Sequence, residues 1–428
     1  MATGSRSSRT DLPPLHESWL PKEHTLHKPR HGGRQRFALI CAVIFFAAPL
    51  VSLGLGIRPG EIDNRVLVSF PSPTQGWSFF ARLPQWGSDH LTFRSVALSS
   101  ADSISRGLFG EPPSFTTGQG VTDPLAPPAQ VPSTALAIPR AIEGKNGWLY
   151  EGDDIVSRCL PAQSLNKTIA ALQRLRTVVE SSGRQFVLVI APDKSTIVPQ
   201  NLPDNYLGKQ CAQAATKQFW QRVPAATGAL DLRAALQAWT QRIGHPAYPP
   251  QDAHWSDEGA VTMTTAIADA IQPGITTTWQ TAPVQKWQQA ADLPPLIGHK
   301  GLDDGYYYSL EPDGKTDTAR NVPFDFTTPL HLAGADVPGT VKQSVGLLGD
   351  SFTIRALRYL DAGFSDIDVL HYGDVDTDAG HTAGEMLAGD QVVAVELVER
   401  TLESGNNILL HPAVLDGIAK VLSAHPMH

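Results

Sequence analysis

The hydrophobic pattern divides the chain into one long apolar block near the N-terminus and a later region where short apolar runs alternate with helical spacing. The block FALICAVIFFAAPLVSLGLGI, Phe37 to Ile57, carries no charged residue. As a helix rising about 1.5 Å per residue it spans roughly 31 Å, the thickness of a hydrocarbon core. It is too long for a signal-peptide core, and 36 residues precede it, so it reads as a membrane span. Residues 58–110 hold only short apolar patches (VLVSF, GWSFFARL) and read as the membrane-proximal start of the folded region. Residues 111–137 are Pro-rich without a period, as expected of a linker or long loop.

From residue 138 the pattern is α/β. GKNGWLYEGDD contains the Asn-Gly signal of a hairpin. SLNKTIAALQRLRTVVESSG has helical spacing and stops at Gly183. QFVLVIA, before Pro192, is the continuous β-branched run of a strand buried on both faces. TKQFWQRVPAATGALDLRAALQAWTQRIG reads as helix, short strand, helix, and HWSDEGAVTMTTAIADAI as a helix with Ser256 at its N-cap. SVGLLGD, DIDVLHYGD and GDQVVAVELVERTL supply further strands, with a helix running through Leu360 after the first. Strands alternating with helices predict a mostly parallel sheet flanked by helices, with the site at the C-terminal strand ends.

Charge sharpens the topology. The chain has 428 residues and a net charge of −8, but residues 1–36 carry seven Lys/Arg against three acids, leaving −12 for the remainder. The basic flank places residues 1–36 in the cytoplasm as a disordered tail and everything after Ile57 outside. An acidic body argues against nucleic acid as a partner. Outside the membrane a disulfide can persist, so Cys159 and Cys211 are either bonded or two buried thiols. With three cysteines in all, no CxxC metal cluster exists.

Candidate chemistry centres on two blocks. Gly349-Asp350-Ser351 interrupts a strand-to-helix junction, a turn that can expose a serine hydroxyl and aim backbone N–H groups at an oxyanion. The competing reading is a plain turn with Asp350 capping the next helix. Serine needs a base and an orienting carboxylate. PPQDAHWSDEGA offers both, since Asp252 and His254 are two apart and share one side of an extended loop. Surface turn chemistry is one alternative. A metal held by Asp252 and His254 is another, but the remaining candidates His245, His299 and His371 form no ligand spacing.

Together these segments, with EIDNRVLVSFP, WGSDHLTFR and VLVIAPDKSTIVP, resemble the SGNH-hydrolase-like polysaccharide O-acetyltransferases of the alginate acetylation (AlgJ/AlgX-like) type over roughly residues 61–405. The resemblance implies an SGNH-hydrolase-like fold for residues 138–428, with Ser351 as nucleophile, His254 as general base and Asp252 as its carboxylate. It marks Lys194 and Trp255 as positions near the site, either substrate contacts or, respectively, a carboxylate partner and a core residue. It implies a polysaccharide acceptor, a multi-pass membrane acyltransferase that supplies acyl groups, and no cofactor or metal. The order of the blocks and the Asp-x-His spacing resemble the acetyltransferase branch rather than ordinary SGNH hydrolases. The insertion at 111–137 and the segment IGHKGLDDGYYYSL depart from the pattern, so alginate itself is not implied as the acceptor. An esterase with the same triad, or a non-catalytic polysaccharide-binding or assembly protein, is the alternative outcome.

Overall fold

The computed structural model describes residues 19–24, 33–57, 70–72, 76–92, 94–109 and 138–427. The expected linker at 111–137 and most of the basic tail lie outside the described residues. The chain forms two compact units, one of residues 1–60 and 67–94, the other of 61–66 and 95–428.

In the first unit the helix Gly33–Gly54 contains the apolar segment Arg36–Gly54, of mean hydropathy 2.5. Among the described residues it is the one helix long and apolar enough to cross a membrane. The helix stops three residues before the apolar run does. Gly56 takes φ 84°, and the Gly56 and Ile57 amides turn back to the Leu53 and Ser52 carbonyls. Only a residue without Cβ adopts that left-handed backbone at little cost. The patch GWSFFARL opens a second helix, Trp77–Asp89, and the helix Arg94–Phe109 belongs, after Arg94, to the second unit. The patch VLVSF, apart from Phe70, lies outside the described residues.

The second unit is built on a six-stranded sheet. A small antiparallel hairpin comes first, β1 (Ala141–Glu143) and β2 (Leu149–Glu151). Its turn places Asn146 at φ 55° and Gly147 at φ 77°, which is the reason for the Asn-Gly pair. The main sheet contains β3 (Gln185–Ala191) and β4 (Leu230–Asp231). Two strands absent from the sequence reading, β5 (Pro283–Ala290) and β6 (Leu302–Tyr308), form a separate antiparallel pair. The edge strand β7 (Leu330–Leu332) was also unexpected. It joins β8 (Val345–Gly349), β9 (Ile367–His371) and β10 (Val392–Val398) in the main sheet.

The strand order is β4-β3-β10-β8-β9-β7, parallel throughout except for the antiparallel edge pair β7–β9. Alternate side chains of β3 enter opposite cores. Val187, Val189 and Ala191 pack with the helices Asp257–Ile271 and Thr353–Gly363, whereas Phe186, Leu188 and Ile190 pack with Leu165–Glu180 and Pro412–Ala424. Two covered faces explain why the strands read as unbroken apolar runs rather than alternating ones. The second unit is thus a three-layer α/β structure in which β3, β8 and β10 all end on one edge.

Cys159 and Cys211 are disulfide-bonded, with Cα atoms 5.6 Å apart across a separation of 52 residues. The bond ties the short helix Asp153–Cys159 to the helix Lys209–Thr227. Replacing both cysteines with serine should cost about 2–4 kcal/mol of stability. Urea denaturation of oxidised wild type and the double variant reads this, and reductant should lower the wild-type midpoint while leaving the variant's in place.

Candidate active site

The nucleophile turn is fixed by its aspartate. Asp350 Oδ1 accepts the Phe352 N–H at 2.9 Å, and Oδ2 accepts the Tyr372 hydroxyl at 2.9 Å and the Val398 N–H at 3.1 Å. One buried carboxylate therefore joins the ends of β8, β9 and β10. From beneath, Glu396 Oε2 accepts the Asp350 N–H at 3.1 Å and the Thr353 hydroxyl at 3.0 Å. Burial and the adjacent Asp350 carboxylate push the Glu396 carboxyl well above its ordinary range. Gly349 is required because a Cβ there would collide with the Thr353 side chain. Asp350 thus brackets the turn and does not cap the Thr353–Gly363 helix, whose N-cap position is Phe352.

Ser351 lies 97 residues from His254 in sequence, yet its Oγ is 2.8 Å from His254 Nε2. His254 Nδ1 lies 2.9 Å from Asp252 Oδ1, which also accepts the His254 backbone N–H at 2.8 Å. A carboxylate oxygen only accepts, so Nδ1 carries a proton and Nε2 faces the serine. A second carboxylate, missed in the sequence, completes the arrangement. Asp292 Oδ2 is 3.1 Å from the same Nδ1, and its Oδ1 accepts the Ala253 N–H at 2.9 Å. No local spacing betrays Asp292, which sits 38 residues from His254 just beyond β5. Arg355, also missed, lies one helical turn after Ser351, with its guanidinium 4.0 Å from Asp252 and 3.6 Å from Asp257.

Lys194 and Trp255, read as substrate contacts or else as a carboxylate partner and a core residue, are both buried and bind backbone carbonyls beside the site. Lys194 is 2 % exposed, and its ammonium donates to the Pro250 and Asp252 carbonyls at 2.7 and 2.9 Å. It also lies over the rings of Trp148 and Tyr150. Burial lowers its pKa to about 8 against the opposing pull of Asp292, Asp303 and Asp252. Lys194 pairs with carbonyls rather than with a carboxylate, and so holds the shape of the Asp252–His254 loop. Trp255 is fully buried, packs edge-on against Phe352 and donates its indole N–H to the Phe352 carbonyl at 3.0 Å. It locks the histidine block to the serine block. Gly259, one turn later, leaves room for that indole. Ser256 occupies the expected N-cap position, but its hydroxyl donates to Glu258 and not to a helix amide.

The electrostatics follow from burial and from these carboxylates. Burial alone would lower the His254 pKa, but hydrogen bonds to Asp252 and Asp292 outweigh it and raise it to about 10. Burial works against the Asp252 charge, yet the His254 ring, Arg355 and the His254 amide hold its pKa down to about 2. Oxygens of Asp252 and Asp292 and Nδ1 of His254 all lie within 4.8 Å of one another, close enough for a cation. In this arrangement the Nδ1 proton fills that position. A second carboxylate cluster, Asp193, Glu399 and Glu403, is bridged by Arg158, which lies 2.9 Å from Asp193 and 3.0 Å from Glu399, and by Arg400, 3.0 Å from Asp193.

A three-layer α/β unit with such strand-end blocks is the architecture of the SGNH-hydrolase-like class. The chain belongs to the AlgX acetyltransferase family, since residues 141–365 match the model described as "SGNH hydrolase-like domain, acetyltransferase AlgX". Relatives named "Probable alginate O-acetylase AlgJ" include those of two organisms. That of Pseudomonas syringae pv. tomato is 29% identical over 133 residues, covering 31% of this chain and 34% of that protein. That of Azotobacter vinelandii is 26% identical over 140 residues, covering 32% and 34%. The match therefore spans about a third of the length of these relatives. Among solved structures, the O-acetyltransferase domain of Pseudomonas putida AlgJ aligns with TM-score 0.46 and 17% identity over 67% of this chain and all of that one. Pseudomonas aeruginosa AlgX aligns with TM-score 0.46 and 12% identity over 67% of this chain and 66% of the other.

The shifted pKa values make stability depend on pH with a defined sign. The His254 pKa is raised above its ordinary 6.5, so its contribution is complete below about 6.5 and lost as pH rises through about 10. The Asp252 pKa is depressed, so its contribution holds above about 4 and is lost only as pH falls through about 2. Urea midpoints of wild type and His254→Gln should therefore differ most near pH 6 and converge by pH 10.

Proposed function

We propose that the chain is a membrane-anchored, extracytoplasmic O-acyltransferase, with acetyl as the acyl group, that modifies a hydroxyl of a cell-surface or exported polysaccharide. The observation that carries this reading is the hydrogen-bonded series Ser351, His254, Asp252 at a strand-end turn in a member of the acetyltransferase family. The Ser351 oxygen attacks the acyl carbonyl carbon while His254 Nε2 takes the hydroxyl proton. Collapse of the tetrahedral adduct expels the donor's leaving group, which receives that proton from His254, and leaves an ester on Ser351. The acceptor hydroxyl then attacks this ester, its proton passes to His254, and the proton returns to Ser351 Oγ as the sugar ester departs. The Ser351 N–H has no acceptor among the described residues and is available to the oxyanion. Asp252 keeps the Nδ1 proton in place and stabilises the imidazolium.

The remaining elements of the reading follow from the anchor. The apolar run Phe37–Ile57 spans the membrane, the basic residues 1–36 stay in the cytoplasm, and the α/β unit acts outside. Activated acetyl is made in the cytoplasm, so a multi-pass membrane acyltransferase relays it across. No cofactor is called for by the chemistry. The names of the relatives make an alginate oligosaccharide the first acceptor to test.

Incubating the purified chain with an activated acetyl ester should place an acetyl group on Ser351, detected by peptide mass spectrometry. Adding an oligosaccharide should transfer it to sugar. Ser351→Ala should abolish both, and His254→Gln should slow them by about 10³-fold or more. Free acetate with no sugar ester would replace the transferase reading with an esterase. No adduct at all, with surface acetylation unchanged in cells carrying Ser351→Ala, would leave a binding or assembly protein. Because the base form of His254 appears only as the raised pKa is approached, the acylation rate should climb on the alkaline side of pH 6.5.

A further inference from the structure

The imidazole that faces Ser351 rests on two carboxylates, from two separate parts of the chain. Asp252 arrives on the same loop as His254, and Asp292 arrives from the connection between β5 and β6. Both lie within hydrogen-bonding reach of one nitrogen, Nδ1, at 2.9 and 3.1 Å. Each carboxylate also binds the loop backbone, Asp252 at the His254 N–H and Asp292 at the Ala253 N–H. Resting on the acyl-transfer reading above, we propose that Asp292 is a second orienting carboxylate for His254, so that the catalytic device is a tetrad of Ser351, His254, Asp252 and Asp292.

The geometry separates this role from simple packing. Asp292 divides its two oxygens between two tasks, Oδ1 for the loop amide and Oδ2 for the imidazole. The connection that carries it is itself fixed. Leu293 N–H donates to the Gln251 carbonyl at 3.2 Å, and Ala291 N–H donates to the Gly301 carbonyl at 3.0 Å. Leu293 is buried, and Asp303 of β6 accepts the Gln251 N–H. The β5–β6 pair therefore acts as a clamp whose tip presents Asp292. The other charges around the site act on the acids and on the loop. Arg355 faces Asp252 from the helix after Ser351, and Lys194 holds the Asp252 and Pro250 carbonyls. Two anions on one nitrogen have a chemical consequence. They stabilise the imidazolium that forms when Ser351 or the sugar hydroxyl gives up its proton, and they raise the basicity of Nε2.

Asp292→Asn provides the test, because the amide oxygen can still accept the Ala253 N–H while the NH₂ group cannot accept from Nδ1. Two readouts on the full-length protein are compared with wild type. One is the pH dependence of Ser351 acetylation by p-nitrophenyl acetate. The other is the titration of the His254 Nδ1–H signal by NMR, which needs no activity. The expected result is an acylation limb and an NMR midpoint displaced to lower pH by about one unit or more, with an unchanged KM and, above the wild-type midpoint where the His254 contribution to stability is already lost, an unchanged urea midpoint. Acylation above the limb should fall about tenfold, and the Asp252→Asn, Asp292→Asn double variant should lose more than either single one. A limb and an NMR midpoint that both stay in place in Asp292→Asn would reduce Asp292 to a loop support and overturn the tetrad. So would loss of wild-type acylation on chelation, since Nδ1 cannot both ligate a cation and donate its proton. If wild type forms no acetyl-serine but the NMR midpoint moves, Asp292 still orients His254 and it is the acyl-transfer reading that falls.

Discussion

The site depends on the hydrogen bonds accepted by the Asp350 carboxylate. Parallel strands ending side by side leave unpaired amides at their C-terminal edge, and the helices that follow must diverge from it. Asp350 gathers the Phe352 and Val398 amides and the Tyr372 hydroxyl onto two oxygens. Three strand ends are thereby held in one register, and Ser351 is left at the crest of the turn. The Glu396 carboxyl below completes the bracket through the Asp350 amide and the Thr353 hydroxyl. The serine is therefore positioned by groups buried beneath the turn.

The histidine side is built on the opposite principle. Its loop has no regular secondary structure, so its shape is imposed from outside. Lys194 from the end of β3, Leu149 of β2, Asp303 of β6 and the Asp292 connection each bind a backbone group between Pro250 and Ala253. Trp255 then ties the loop to Phe352. A buried ammonium is costly unless its hydrogen-bonding capacity is used. Two carbonyls and two aromatic rings accept that charge here, which is why a lysine beside the site supports the loop rather than reaching outward.

Much of the architecture was legible because it is local. The continuous runs at Gln185–Ala191, Val345–Gly349 and Val392–Val398 could be buried only as central strands, and the structure places all three in the main sheet. The Asn146-Gly147 turn and the helices flanking β4 followed from equally short-range signals. The pair β5–β6 was not legible. In β5 every residue but Trp287 is exposed, so the run PVQKWQQA carries little hydrophobic period to read. The edge strand β7 is three residues long and takes its identity from pairing with β9.

The sequence by itself determined the class of fold, the two blocks that hold Asp252, His254 and Ser351, and one apolar helix of membrane-spanning length. Those features rest on side-chain periodicity and on residues a few positions apart. Tertiary structure decided which groups surround the reactive atoms. It turned Lys194 and Trp255 inward, made Asp350 a bracket instead of a cap, bonded Cys159 to Cys211, and brought Asp292 from 38 residues away to the same nitrogen as Asp252. The reason is physical. A pattern along the chain reports which face of an element is buried, but the partner of a buried polar group is chosen by elements that meet only when the sheet and its clamp have closed around it.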